Sequence, residues 1–209
     1  MNVKEINRFF KILSRKLDGK TKAILTGAAA GAIWGNVRLS MDLDFAIETA
    51  IKTTKRDPQA WVKLEKALEE TVKLTGFKVD YAEDIDRWGL VVLLDYKKRS
   101  LPYRRFGLLE VRLMDPAYWS IGKMTRYLHS DHDDMAKVFK NQKVSWNRLV
   151  RVWGKALRES PHSGALAAFR RQVEHFLRSY GRWVWGREFS AEKAVRAFHK
   201  NAGIKKEFK

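Results

Sequence analysis

The stretch that most limits what this chain can become is residues 24–48, ILTGAAAGAIWGNVRLSMDLDFAIE. Residues 23–25 are apolar and read as a short strand. Gly27 breaks it, and the small residues 28–34 read as a helix that Gly35 and Asn36 end. Residues 41–47 read as a second strand carrying Asp42 and Asp44. Side chains at i and i+2 of a strand share a face, about 6–7 Å apart, while Leu43 and Phe45 point the other way. Two carboxylates so placed repel each other and lose hydration, and a divalent cation relieves both. Pairs of oxygen-ligated metals about 3.5–4 Å apart serve phosphoryl chemistry. The plainer reading is a solvated strand face whose acids discourage edge-to-edge aggregation.

Leu25-Thr26-Gly27-Ala28, the helix after them, Arg38-Leu39-Ser40 and Asp42-Leu43-Asp44-Phe45 together resemble the nucleotidyltransferases of the polymerase-β superfamily, closest to the small AbiEii-toxin-like forms. The resemblance implies an α+β fold, a mixed sheet flanked by helices. It implies transfer of an NMP from an NTP to an acceptor hydroxyl, on an RNA or tRNA end or a protein side chain. Asp42 and Asp44 would hold Mg²⁺ or Mn²⁺ in a two-metal arrangement, and Gly27, Ala28, Arg38 and Ser40 would meet the nucleotide. Ala28 departs from the family's Ser or Gly and removes a hydroxyl from the triphosphate. Backbone N–H groups at the helix start remain as anion donors.

A complete site needs a third carboxylate, which would take the acceptor's proton. Three further strands are expected at residues 77–84, 90–96 and 108–113. Asp95, after Val91-Val92-Leu93-Leu94, is the first choice, as catalytic residue and metal ligand. Glu110 is its rival, and Asp80 comes third. Each can equally be an edge-strand ion pair with nearby Lys and Arg.

Residues 3–17 form an amphipathic pattern with Gly19 as a stop. Asp57-Pro58 and Asp115-Pro116 read as an N-cap followed by Pro at the first helical position, the first of these helices running to about Thr75. Ser130 and Asp133 look like a variant capping box. Lys123, Asp131 and Asp134 resemble a second motif of the same family, in which Lys123 reaches nucleotide phosphates and Asp131 or Asp134 orients it. An ion pair of Asp134 with Lys123 or Arg126 explains these residues as well. His129, His132 and Asp133 lie on a polar helix start and read poorly as a metal site.

From residue 141 the pattern is helical alone. Ser145 opens one helix, Pro161 precedes another that Gly181 ends, and Ser190 opens a third. The expected organisation is a nucleotidyltransferase-like domain over 1–140 and a basic all-helical extension over 141–209. The chain carries +18, and residues 141–209 hold 16 Lys and Arg against 5 Asp and Glu, a net of +11. Such a field attracts polyanions. Arg148, Arg151, Arg170 and Arg171 lie off the apolar stripes and are the expected nucleic-acid contacts. Trp183 and Trp185 alternate with Arg182 and Arg187 and can stack on bases.

The chain has no Cys, which excludes disulfides, thiolate zinc sites and a cysteine nucleophile. No apolar run spans a bilayer and no leader pattern opens the chain, so a cytoplasmic protein without membrane contact is expected. The expected partners are an NTP and an RNA, a tRNA or an acidic protein. Two other functions fit the same residues. One is nucleic-acid binding on a transferase scaffold that no longer catalyses. The other is a partner-binding subunit of a toxin–antitoxin-like system.

Overall fold

The structure, a computed structural model, describes residues 1–35, 42–49 and 58–204. Arg38 and Ser40 lie outside the described residues. The chain is α+β, and its packing forms two units. The first draws on Met1–Ile33, Val37–Ile85 and Lys97–Met114, the second on Trp34–Asn36, Asp86–Tyr96 and Asp115–Lys209. Residues 115–140 therefore cluster with the C-terminal helices rather than with the sheet.

The first unit opens with α1 (Val3–Ser14). Asn2 and Glu5 cap it reciprocally, each side chain accepting the other's backbone N–H at 3.1 and 2.7 Å. Ile6, Phe9, Phe10 and Leu13, one helical face, are fully buried. Then come β1 (Thr21–Leu25), α2 (Gly27–Ile33), β2 (Asp42–Thr49), α3 (Pro58–Thr75), β3 (Lys78–Ala82), β6 (Leu101–Phe106) and β7 (Leu109–Leu113). The five strands form one mixed sheet in the order β3-β2-β1-β7-β6. β1 runs antiparallel to β2 and parallel to β7, and β2 runs parallel to β3.

Phe45 of β2 stacks on Tyr81 of β3, ring centroids 6.0 Å apart, and meets Phe9 and Phe10 at 6.2 and 5.7 Å. Trp61 of α3 reaches Tyr81. One face of the sheet is thus covered by α1 and α3. The alternate residues make the other face, and these include Lys22, Asp42, Asp44, Glu48, Asp80, Glu110 and Arg112.

Two expectations about strands change. Residues 90–96 form no strand of this sheet. Only Val91–Val92 (β5) pairs, antiparallel to Arg87–Trp88 (β4), within the second unit. Burial of Val91 and Leu93 explains the apolar run, and Asp95 ends it in a left-handed conformation, φ +61°. Conversely, residues 101–106, outside the three expected strands, form β6. It pairs only with β7, at the sheet edge, where Pro102 is tolerated and polar residues face solvent.

A short helical turn, α4 (Tyr96–Arg99), follows Asp95. The remaining helices are α5 (Pro116–Arg126), α6 (His129–Asn141), α7 (Trp146–Glu159), α8 (Gly164–Trp185) and α9 (Ala191–Ala202). Asp115, Ser145, Ser163 and Ser190 cap α5, α7, α8 and α9 through their side chains. Leu128, not Ser130, is the N-cap of α6, and the Asp131 carboxylate accepts its N–H at 3.2 Å. Gly181 does not end α8. The ring of Phe189 lies where a Cβ on Gly181 would sit, 2.0 Å away, and the helix continues to Gly186 at φ +92°. Among the described residues, no helix is long and apolar enough to cross a membrane.

Candidate active site

In the first unit the site grows from the β1–α2 turn. Thr26 N–H donates to the Asp44 carbonyl at 2.8 Å, tying the end of β1 to β2. The chain then turns at Gly27 with φ +61°, a conformation that suits Gly. A Cβ there would lie 1.7 Å from Asp44 Oδ2. The Asp44 carboxylate therefore rests directly on the Gly27 backbone, and two independent constraints select glycine. Asp42 is exposed and Asp44 half-buried on one side of β2, while Leu43 and Phe45 are fully buried on the other. The pair expected from the sequence is present on one face.

Asp80 is the carboxylate that the sheet places beside this pair. It stands in register with Asp44 on the neighbouring parallel strand, and Lys78 stands in register with Asp42. Since Phe45 and Tyr81 stack on the opposite face, Asp44 and Asp80 share theirs.

Glu110 is at the wrong end of the sheet. Lys22 pairs with Glu48 on one side and Glu110 on the other, which puts Glu110 level with a residue four places along β2 from Asp44, about 13 Å. Glu110 also accepts from Arg112 at 2.8 Å, and that hydrogen bond holds its carboxyl below the usual range against the opposing effect of burial. Asp95 belongs to the second unit, on no strand of the five-stranded sheet, and pairs with Lys155 at 3.3 Å.

Among the described residues no three His, Asp or Glu side chains gather closely enough to hold a metal ion. The donor set fits Mg²⁺ nonetheless. That ion keeps several waters and takes one or two carboxylates plus substrate phosphates rather than an all-protein cage. Asp42 and Asp44 supply such a pair of hard oxygen donors.

In the second unit, Lys123 is only 4% exposed and points at two buried acids, Asp131 Oδ1 at 3.0 Å and Asp134 Oδ2 at 2.9 Å. Arg126 grips Asp131 with two further bonds, 2.8 and 2.6 Å. Burial alone would raise the Asp131 pKa, but Arg126 and Lys123 overcome it and bring it down to about 2. Both acids orient Lys123, and the same bonds close it into the α5–α6 junction.

His132 has both ring nitrogens engaged, Nδ1 with the Tyr180 hydroxyl at 3.1 Å and Nε2 with the Tyr127 carbonyl at 3.2 Å. Tyr127, in a left-handed C-cap, pairs its hydroxyl with His175 Nδ1 at 2.6 Å. Both His132 nitrogens are thus engaged within the protein. This Tyr–His cluster joins α5, α6 and α8, and nothing in the sequence links His175 to residues 48 positions earlier.

Of the four arginines expected to contact nucleic acid, two have acidic partners. Arg148 pairs with Asp115, whose other oxygen caps α5, and Arg170 binds Glu174 at 2.9 Å. Arg151 is exposed and donates only to the Asn147 carbonyl, while Arg171 is exposed without an ion pair among the described residues. Trp185 is drawn inward, stacked on Phe139 and tilted against Phe189, with Nε1 donating to the Val144 carbonyl at 2.8 Å.

No protein-family model, curated protein or solved structure matches the chain.

Proposed function

We propose that the first unit is a metal-dependent nucleotidyltransferase of the polymerase-β type, with Asp42 and Asp44 as the metal-binding pair. The observation that carries this reading is the Asp44 carboxylate seated on Gly27, a glycine that sterics alone would require there. In the resembling family the same turn meets the nucleotide, and here it lies directly against the Asp44 carboxylate. Asp80 is the third acid in this proposal, ahead of Asp95 and Glu110, because it shares the face and the register of Asp44.

The acceptor hydroxyl oxygen bonds to the α-phosphorus of the NTP, the bond from that phosphorus to the pyrophosphate oxygen breaks, and the hydroxyl proton passes to a carboxylate. That last role falls to Asp80. Mg²⁺ or Mn²⁺, when bound, would neutralise the charge developing on the phosphates. Incubation of the protein with each of the four NTPs labelled at the α-phosphate, Mn²⁺ and single-stranded RNA bearing a free 3′ hydroxyl tests the reaction. Labelled RNA or labelled protein, lost in Asp44→Ala, supports transfer. No label on either acceptor with any NTP counts against it.

A second reading keeps the scaffold and drops the chemistry, leaving a nucleic-acid-binding protein. Two observations favour it: Ala28 offers no hydroxyl, and Lys123 is buried between two acids instead of open to phosphate.

A further inference from the structure

We propose a single-stranded nucleic-acid site on the second unit, built where the C-terminal ends of α6 and α8 meet and centred on Trp183. It locates the polyanion partner of the reading above, and it stands without the transfer step.

Trp119 and Trp153 of this unit are 1% and 0% exposed, and Trp146 and Trp185 are partly buried. Trp183 is 52% exposed, although a ring that size gains most from burial. Lys140 of α6 lies over its ring, 4.5 Å from the centroid. The Trp185 bond to Val144 fixes the same junction, bringing the α6–α7 turn beside the end of α8. Lys137, Lys140 and Lys143 follow one another at helical or turn spacing on the α6 side, and Arg182 and Arg187 lie close to Trp183 in sequence at the end of α8. All five cations are exposed, and none forms an ion pair among the described residues. The surrounding acids are few. Asp133 precedes Lys137 by one turn and faces His129 at 4.0 Å, and Glu188 follows Arg187.

Several other cations of the unit are paired with carboxylates. Arg148 has Asp115, Arg170 and Arg178 have Glu174, and Lys155 has Asp95. Arg151 and Arg171 are exposed without an ion pair among the described residues as well, so what marks this place is the half-exposed indole with a cation over its ring. A half-exposed π-surface with a cation at its ring and further exposed cations nearby in sequence matches a base and its flanking phosphates. Duplex bases are already stacked on one another, so an indole of this kind selects a single strand. An acidic peptide would satisfy the cations but leave the indole unused.

The test uses the whole protein and fluorescence anisotropy with a labelled 12-nucleotide single-stranded RNA, the same RNA as a duplex, and a labelled poly-glutamate peptide. Wild type should bind the single strand most tightly. Trp183→Ala should weaken it about 5- to 100-fold, the range of one lost base stack, with little effect on the duplex. Trp183→Phe should restore most of the loss. If the site neutralises three to five phosphates, affinity should fall with salt at a log–log slope of about −2 to −3.5, and Arg182→Glu/Arg187→Glu should flatten it. Asp42→Ala/Asp44→Ala should leave all of this unchanged, which separates failure of the site from failure of the catalytic reading. Absence of single-strand binding, equal affinity of Trp183→Ala and wild type, or preference for duplex or poly-glutamate would overturn the proposal.

Discussion

At the scale of single residues, Gly27 carries the strongest constraint. Gly27→Ala would force an L-residue into φ +61°, costing about 1–2 kcal/mol, and would push the Asp44 carboxylate off its seat. The expected result is a lowered melting temperature together with at least a tenfold loss of Mn²⁺-dependent NTP binding, read by calorimetry. Lys123 separates two roles cleanly. If it is a structural cation between Asp131 and Asp134, Lys123→Ala leaves buried carboxylates short of a partner and costs about 3 kcal/mol in urea unfolding. A phosphate-binding role would instead reduce NTP affinity with stability preserved. Asp131 adds a pH signature. Its folded pKa, about 2, lies below the unfolded value of 3.8, so its contribution is full above about pH 4 and is lost as pH falls toward 2. That contribution is about 2 kcal/mol, and Asp131→Asn should remove the acid dependence in that window along with the stability.

At the scale of elements, two glycines of α8 test what the packing requires. Gly181→Ala drives a methyl into Phe189 and should cost about 1–3 kcal/mol. Gly164→Ala, at the start of the same helix with nothing within 4 Å, should be neutral or stabilising by about 0.5–1 kcal/mol. Chemical denaturation of both variants decides this. The pair also shows what sequence conveys and what it hides. Gly181 looks like a helix stop, since in sequence a glycine chosen for backbone freedom and one chosen for a ring packed on its Cα are identical. Capping residues were legible because caps act within a few residues: Asp115, Ser145 and Ser190 all hold their helix starts. β6 was hidden because an edge strand buries little, so LPYRRF lacks the apolar alternation that marks a half-buried strand.

At the scale of the whole molecule, the α+β organisation and the same-face pair Asp42 and Asp44 were legible because local periodicity sets them. The placement of the candidates for a third acid was not. The apolar run before Asp95 reads as a sheet strand, yet that run is buried within the second unit and leaves the five-stranded sheet to others. Asp80, third in order from the sequence, moves ahead only through the register of β2 with β3, a pairing across 36 residues. The basic surplus of the last third was legible too. Which cations remain unpaired was not, because ion pairs such as Arg148–Asp115 depend on tertiary packing. Calorimetry of wild type, Asp44→Ala, Asp80→Asn and Asp95→Asn with a non-hydrolysable NTP and Mn²⁺ tests the central claim most directly. The account predicts Mn²⁺-dependent binding by wild type and by Asp95→Asn, abolished in Asp44→Ala and weakened in Asp80→Asn, with all three variants folded. Equal binding by wild type and Asp44→Ala, or binding by neither, would contradict it.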